Sequence, residues 1–149
     1  MTESTDPLTG IVSYLRGDVG LDALVDNRVY REELPRDRVV DMPEKCIVVT
    51  SSGRIPIGLD SSYVRHGVVR IDLRCYGETF TEGRAVYWEA NRALRELAPQ
   101  DIVGVRLYNT LLVGGPLALR EADVDWPMIW ASYGVTASEV AVEVPEEAS

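Results

Sequence analysis

The segment Val68–Tyr76 constrains the fold of this chain most strongly, because apolar and polar residues alternate along it from Val69 onward. Successive side chains of a β-strand point to opposite faces of its sheet. The pattern therefore predicts a strand with one face on a core and the other face in water or against a partner. The core-facing set is Val69, Ile71, Leu73 and Cys75, and the opposite set is Arg70, Asp72, Arg74 and Tyr76.

Two helices are predicted on either side of this strand. Residues 7–16 carry apolar side chains at helical spacing, with Asp6 as the expected N-cap. The second helix follows a capping box, in which Thr79 accepts from an amide of the first turn and Glu82 reaches back. Its buried stripe is predicted to comprise Val86, Ala90, Ala93, Leu94 and Leu97, and Pro99 ends it.

Apolar runs predict the other strands, and turn-forming residues predict the loops. Strands are expected at residues 28–30, 46–50, 102–113 and 128–136, and a short helical turn at residues 21–25. Loops are expected at residues 35–44 and 51–63. The sequence Gly114-Gly115-Pro116 predicts a firm break, followed by a connecting segment over residues 117–125.

This order of elements predicts an α+β fold, a mostly antiparallel sheet with two helices packed on one face. A chain of 149 residues has room for one ordinary domain, which we expect over residues 1–138. Residues 139–149 carry four glutamates and no basic residue, so they are expected to form an acidic flexible tail.

The charge balance narrows the classes of function. Fifteen Lys and Arg against 24 Asp and Glu give a net charge of −9, which argues against a nucleic-acid coat protein. One His and two Cys disfavour zinc fingers and disulfide scaffolds. Cys46 and Cys75 lie in apolar runs and are expected to be reduced and buried. The longest apolar stretches are too short for a membrane span, and no targeting signal is visible.

The residues that could support catalysis do not form a recognisable constellation. His66 is the only imidazole and lies near Ser61, Ser62 and Tyr63, but no Gly-x-Ser-x-Gly elbow is present. A small cytoplasmic enzyme that uses His66 stays open as an alternative. The prediction from these residues is a protein with no catalytic residue and no cofactor.

Metal and nucleotide sites are also not predicted. Glu121, Asp123 and Asp125 precede a strand, where acidic residues commonly form turns, and the glycine and distal Glu of a calcium loop are missing. The Gly114-Gly115-Pro116 turn does not lead into a helix with a Lys, as a phosphate cradle would.

Ordered surface beyond what a small monomer needs favours an assembly protein. Mixed charges on an exposed strand face suit repeated contacts between subunits. We predict that these contacts involve Arg70, Asp72, Arg74, Arg106 and Tyr108. The tryptophans Trp88, Trp126 and Trp130 are expected to anchor the core.

Several short motifs, taken in order, resemble the small tail-terminator (tail-completion) proteins of long-tailed bacteriophages. The resemblance covers about residues 7–137. The motifs are Arg28-Val29-Tyr30, Leu34-Pro35, Ile47-Val48-Val49, Arg74-Cys75-Tyr76-Gly77, Ala93-Leu94, Gly114-Gly115-Pro116, Asp125-Trp126-Pro127 and Ser132-Tyr133.

The resemblance implies a structural virion protein, made in the host cytoplasm, that forms a hexameric ring on the tail tube. The ring stops tube growth and joins the tail to the head. Implied partners are further copies, the major tail tube protein and head–tail connector proteins, with DNA only passing through the lumen and no membrane. The docking loop to tube or connector is expected to include Arg54, Ile55, Tyr63 and Arg65. A connector (stopper) protein that seals the head exit is the alternative.

Overall fold

The computed structural model describes residues 7–56 and 66–139. The predicted N-cap Asp6, the loop residues Tyr63 and Arg65, and the acidic segment 140–149 lie outside these ranges. Ten elements follow one another: α1 (Pro7–Arg16), α2 (Val19–Val25), β1 (Val29–Arg31), a 3-10 helix (Arg36–Asp41), β2 (Cys46–Pro56), β3 (His66–Tyr76), α3 (Phe80–Arg95), β4 (Gln100–Ile102), β5 (Val105–Arg120) and β6 (Pro127–Glu139).

The strands form one six-stranded sheet in the order β1-β2-β3-β6-β5-β4. The pair β1–β2 is parallel and the other four pairs are antiparallel. The predicted α+β class and the antiparallel character of the sheet are thus confirmed. The predicted number of helices, two, is too low. Residues 19–25 form a further α-helix, and residues 36–41 form a 3-10 helix.

The main core lies between the helices and one face of the sheet. The alternating positions of β3 predicted to face inward are fully buried there, and so is the predicted stripe of α3. On β6 the buried set is Ile129, Ala131, Tyr133, Val135 and Ala137. Burying this apolar area is the dominant stabilising contribution to the fold.

The N-terminus of α3 shows the predicted capping box with one change of partner. The Thr79 hydroxyl accepts a hydrogen bond from the amide of Glu82 at 3.2 Å. The Glu82 carboxylate accepts from the amide of Glu78 at 3.0 Å, one residue before the cap. Two amide groups at this helix end are therefore satisfied by side chains.

The predicted break at Gly114-Gly115-Pro116 is wrong, because β5 continues through it to Arg120. The strand accommodates these residues as an irregularity in its register with β6. Gly115 has a φ of +82°, and a Cβ there would lie 2.6 Å from the carbonyl oxygen of Trp130. Glycine thus lets the backbone bulge against β6 instead of ending the strand. The predicted connecting segment 117–125 is strand as far as residue 120.

The other errors in the predicted strand and loop boundaries also arise from pairing between strands. The predicted strand 102–113 is divided by a tight turn at Val103 and Gly104, both with positive φ, so that β4 pairs back on β5. Residues 51–56, predicted to start a long loop, extend β2 and pair with β3. Residues 57–65 lie outside the described part of the chain. Glu139, predicted to open the acidic tail, still belongs to β6.

Candidate assembly surface

Three of the predicted interface residues share the face of β3 that points away from the helices. Arg70, Asp72 and Arg74 are half-buried there. Their register partners on β6 are Gly134, Ser132 and Trp130. Residues directly opposite one another in a sheet share a face, so the centre of this surface consists of three charged side chains beside a glycine, a serine and a tryptophan.

Two buried polar atoms on this surface lack a partner in the described part of the chain. They are Nε of Arg70 and Oγ of Ser132, and the latter residue is only 2% exposed. A buried polar atom without a hydrogen bond costs roughly 1–3 kcal/mol. Neither atom has exposed surface, so this cost falls on the folded chain itself and does not by itself identify a contact surface.

Arg106 and Tyr108 lie on the same face, further along the sheet. Arg106 pairs in register with Ser138, and Tyr108 shares a hydrogen bond with the Ser138 hydroxyl at 3.1 Å. Arg106 donates two hydrogen bonds to the carboxylate of Asp101, at 2.6 and 3.0 Å. The guanidinium lowers the pKa of Asp101, chiefly through these hydrogen bonds. The charge of Arg106, a predicted subunit-contact residue, is thus matched by Asp101 within its own chain.

The face of the sheet that points away from α1, α2 and α3, called here the helix-free face, is covered at one end. Tyr76 lies at that end, so the expectation that it lies on an open surface is wrong. Tyr76 is 4% exposed, and its hydroxyl donates to Glu121 at 2.6 Å. Burial, followed by this hydrogen bond, raises the pKa of the Tyr76 phenol. A second small core forms around it, consisting of Cys46, Val48, Tyr76 and Met128, packed with Tyr30, Leu34, Met42 and Trp126.

The predicted docking residues fall at the far end of β2. Arg54 and Ile55 occupy register positions opposite Val69 and Val68. Tyr63 and Arg65 are outside the described residues, so the structure does not test whether the four residues lie together. Their role stays a prediction.

The outer edge of β5 is the surface that the sequence interpretation missed. Strand β4 pairs only with residues 105–107, and no described strand pairs with this edge from residue 109 onward. Five apolar side chains project from it: Leu111 (70% exposed), Leu117 (51%), Val113 (47%), Leu119 (43%) and Leu112 (42%). A usable signal was the absence of any charged residue over residues 108–119.

The tryptophans divide between the core and the surface. Trp126 packs against the second core and makes an edge contact with Tyr76, as a core anchor would. Trp130 is half-buried on the helix-free face. Trp88 is 58% exposed and touches the ring of Tyr87, so its predicted role as a core anchor is wrong.

The titratable groups of the described residues do not form a metal-binding cluster. No group of three His, Cys, Asp or Glu side chains there could hold a metal ion. His66 opens β3, opposite Ser138, whereas Ser61 and Ser62 are outside the described ranges. Both cysteines are buried free thiols, as predicted. Burial raises the pKa of the Cys46 thiol to about 12 and raises that of Cys75 as well, so neither is a ready nucleophile.

A helix that spans a membrane must be both long and apolar. Among the described helices, none is long and apolar enough to cross a bilayer.

Comparisons with known proteins bear on the whole domain. The family model described as "Tail completion protein gp17" matches residues 9–129. No curated protein matches the sequence. A chain in the structure titled "Virion of native gene transfer agent (GTA) particle" is 16% identical, with a TM-score of 0.64. The match covers 88% of this chain and 93% of that one, which shows that the two share a fold.

A second solved structure is titled "Structure of bacteriophage SPP1 gp17 protein". It is 18% identical with a TM-score of 0.45, and the match covers 91% of this chain and 89% of that one.

Proposed function

Because the chain belongs to the gp17 family of tail completion proteins, structural components of phage virions, we propose that its copies form a hexameric ring on the tail tube. The ring stops addition of further tube subunits and offers its other side to the head–tail connector. The observation that carries this proposal is the family match over residues 9–129 on a domain that also has an unpaired, apolar sheet edge.

The helix-free face supplies further contacts between neighbouring subunits. Arg70, Asp72 and Arg74 offer charges of both signs at half-buried positions, where such pairs fix orientation and exclude wrong partners. Arg106 and Tyr108 extend the same surface toward the outer strand.

The net charge suits a ring that DNA must pass without binding. Each chain carries −9, so a ring wall built from several copies repels the phosphate backbone. The loop that includes Arg54, Ile55, Tyr63 and Arg65 is proposed to contact the tube or the connector. Residues 1–138 were predicted as one domain and residues 139–149 as a tail; because Glu139 belongs to β6, we propose that the domain extends to residue 139 and that the acidic flexible tail begins at residue 140.

Electron microscopy of particles from a host infected with a phage lacking this chain tests the function. Overlong tails without heads are expected, because nothing would stop tube growth. Full heads that leak DNA would instead identify a stopper, and normal virions would overturn any role in completion. Co-sedimentation with the major tail protein, compared with portal–connector complexes, separates the same two roles in vitro.

A double variant, Arg70→Glu with Arg74→Glu, tests the helix-free face in the same complementation assay. We expect loss of completed tails, because like charges then meet across the subunit boundary. The matched control is Arg84→Glu with Arg95→Glu, which makes the same change of charge at two exposed positions of α3. Completion by the first variant at the level of the control would remove this face from the interface.

A further inference from the structure

A cleft of about 300 Å³ is lined by residues of α1, by the last residue of β1 and by the turn that joins β4 to β5. Its walls are two arginines, two hydroxyl side chains and two valines: Arg16, Arg31, Thr9, Ser13, Val12 and Val103. None of the six is acidic, although the chain carries 24 acidic residues against 15 basic ones. Both arginines are exposed. Guanidinium and hydroxyl groups together are the donors that carboxylates accept from.

One of the two guanidinium groups is held in place by the fold. Nε of Arg16 donates a hydrogen bond to the carbonyl oxygen of Val29 at 2.9 Å, which ties the end of α1 to the start of β1. The two terminal nitrogens carry four further N–H groups that this bond does not use. The carbonyl end of α1 brings roughly half a negative charge to the same region, which two guanidinium groups outweigh. The cleft is thus a positive site on an acidic chain.

The apolar wall formed by Val103 has an unusual backbone. The φ angle of Val103 is +52°, in the left-handed region that a β-branched residue rarely adopts. Its side chain is also 55% exposed, so packing within the described chain does not account for a valine at this turn. Strained backbone persists at binding sites, where it serves a contact. The position therefore favours a contact with a further segment of chain.

The described part of the chain ends beside this cleft. Glu139, the last residue of β6, pairs in register with Val105. Because β5 and β6 are antiparallel, Gly104 and Val103 lie ahead of Glu139 in the direction in which β6 leads. Paired residues are about 5 Å apart, and two residues along a chain add at most about 7 Å. Val103 therefore lies within about 12 Å of Glu139, a distance that four extended residues cover.

The sequence after β6 has the charge that this cleft accepts. Residues 140–149 contain three glutamates and no basic residue. The first of them, Glu143, is the fourth residue after Glu139, and the other two are Glu146 and Glu147. Three carboxylates thus follow at the distance from β6 where the cleft begins, and opposite charges attract most strongly at such short range.

We propose that the cleft binds carboxylates and that its occupant is the acidic segment of the same chain, residues 140–149, with its glutamates beside Arg16 and Arg31. Ion pairs between exposed groups are weak and are screened by salt. The segment therefore exchanges between the cleft and water, which is compatible with the flexible tail proposed above. The inference does not depend on the ring, because a single chain contains both the cleft and the segment.

Paramagnetic relaxation in NMR spectra of the full chain tests this docking. A nitroxide label on Ala148→Cys reports the position of the segment, and Cys46 and Cys75 should not take the label because both are buried. At low salt we expect the amide signals of Arg16 and Arg31 to be broadened beyond detection. In 1 M NaCl both signals should return, because the Debye length falls to about 3 Å.

The matched control removes the charges of the segment and keeps its length. It is the same labelled chain with Glu143→Gln, Glu146→Gln and Glu147→Gln, which changes no residue of the described fold. Both arginine signals should stay visible at low salt in this variant. Equal broadening in the glutamate and glutamine chains, or broadening that survives 1 M NaCl, would overturn the proposal, because the segment would then pass the cleft without binding it through charge.

A change in the cleft itself gives a second readout. Arg16→Gln with Arg31→Gln should release the segment, so that the label no longer broadens the amide signal of Val103. The control is Arg84→Gln with Arg95→Gln, which removes two exposed charges from α3 and should leave that broadening unchanged. If the cleft variant fails to fold, as circular dichroism would show, the glutamine segment still decides the question.

Mixed samples separate the chain's own segment from that of a neighbour. Nitroxide-labelled chains are combined with separate chains labelled with ¹⁵N, and no broadening is expected, because label and cleft are then on different molecules. Broadening in the mixture would mean that a neighbouring copy supplies the segment, and it would overturn docking within one chain. Either result leaves the tail-completion role untouched, since that role is tested on particles.

Discussion

Leu73 and Leu111 occupy strands of the same sheet but opposite environments. Leu73 lies beneath the helices with no exposed surface, whereas Leu111, on the outer edge of β5, is 70% exposed. The difference does not come from residue type or strand propensity. It comes from the layers above each position and from the shortness of β4, which covers three residues of an edge that is sixteen residues long. Burial under the helices stabilises the single chain, and the open edge is available for association.

The largest expected effect is on the free energy of unfolding, which should differ between a substitution in the core and one at the β5 edge. Leu73→Ala should lower the free energy of unfolding by about 2–5 kcal/mol, because it leaves a cavity in a closed core. Leu111→Ala should lower it by less than about 0.5 kcal/mol. Urea unfolding at low protein concentration, where association contributes least, measures both. Equal losses would mean that the edge is as closely packed as the core.

An intermediate effect is expected within β5 itself. Gly115→Ala should cost at least about 1–2 kcal/mol, because its φ is +82° and the new Cβ would meet the Trp130 carbonyl oxygen. Gly114→Ala is the matched control, since its Cβ would lie 3.7 Å from the Trp130 ring in ordinary contact. Thermal unfolding of the two variants compares them. If neither variant unfolds at a lower temperature, the glycine bulge does not explain why β5 continues through residues 114–116.

The smallest effect is confined to alkaline pH. The pKa of Cys46 is about 12 in the folded chain, raised mainly by burial from an ordinary value of 9.0. The thiol therefore contributes stability that is complete below pH 9 and is lost as pH rises from 9 towards 12. Replacing it by alanine should flatten the decline in unfolding midpoint over that range. A Leu111→Cys thiol, being exposed, should add no such slope and should react readily with a thiol reagent.

The parts of the fold that depend on local sequence were predictable. The alternation of β3 and the capping box of α3 each specify an element from neighbouring residues alone, and both predictions are confirmed. The inward face of β3 also followed, because side-chain direction has a fixed period of two in a strand.

The parts that depend on pairing were not predictable in this way. Gly114-Gly115-Pro116 is a turn sequence by composition, but register with β6 keeps it inside a strand. The division at Val103 and the extension of β2 to Pro56 likewise depend on a neighbouring strand that is distant in sequence. The candidate surface shares this limit: its residues on β3 could be named from alternation, whereas the open β5 edge exists only because β4 is short.

The position of β6 between β3 and β5 has a consequence for how the protein is made. Residues 66–76 of β3 pair with residues 128–138 of β6, so a strand in the middle of the sheet is the last strand to be synthesised. Until β6 has been synthesised, the nascent chain contains β3 and β5 without the strand that lies between them in the folded sheet. Completion of the sheet thus waits until residues 127–139 have been synthesised, and a premature stop before residue 127 would remove its centre rather than its rim.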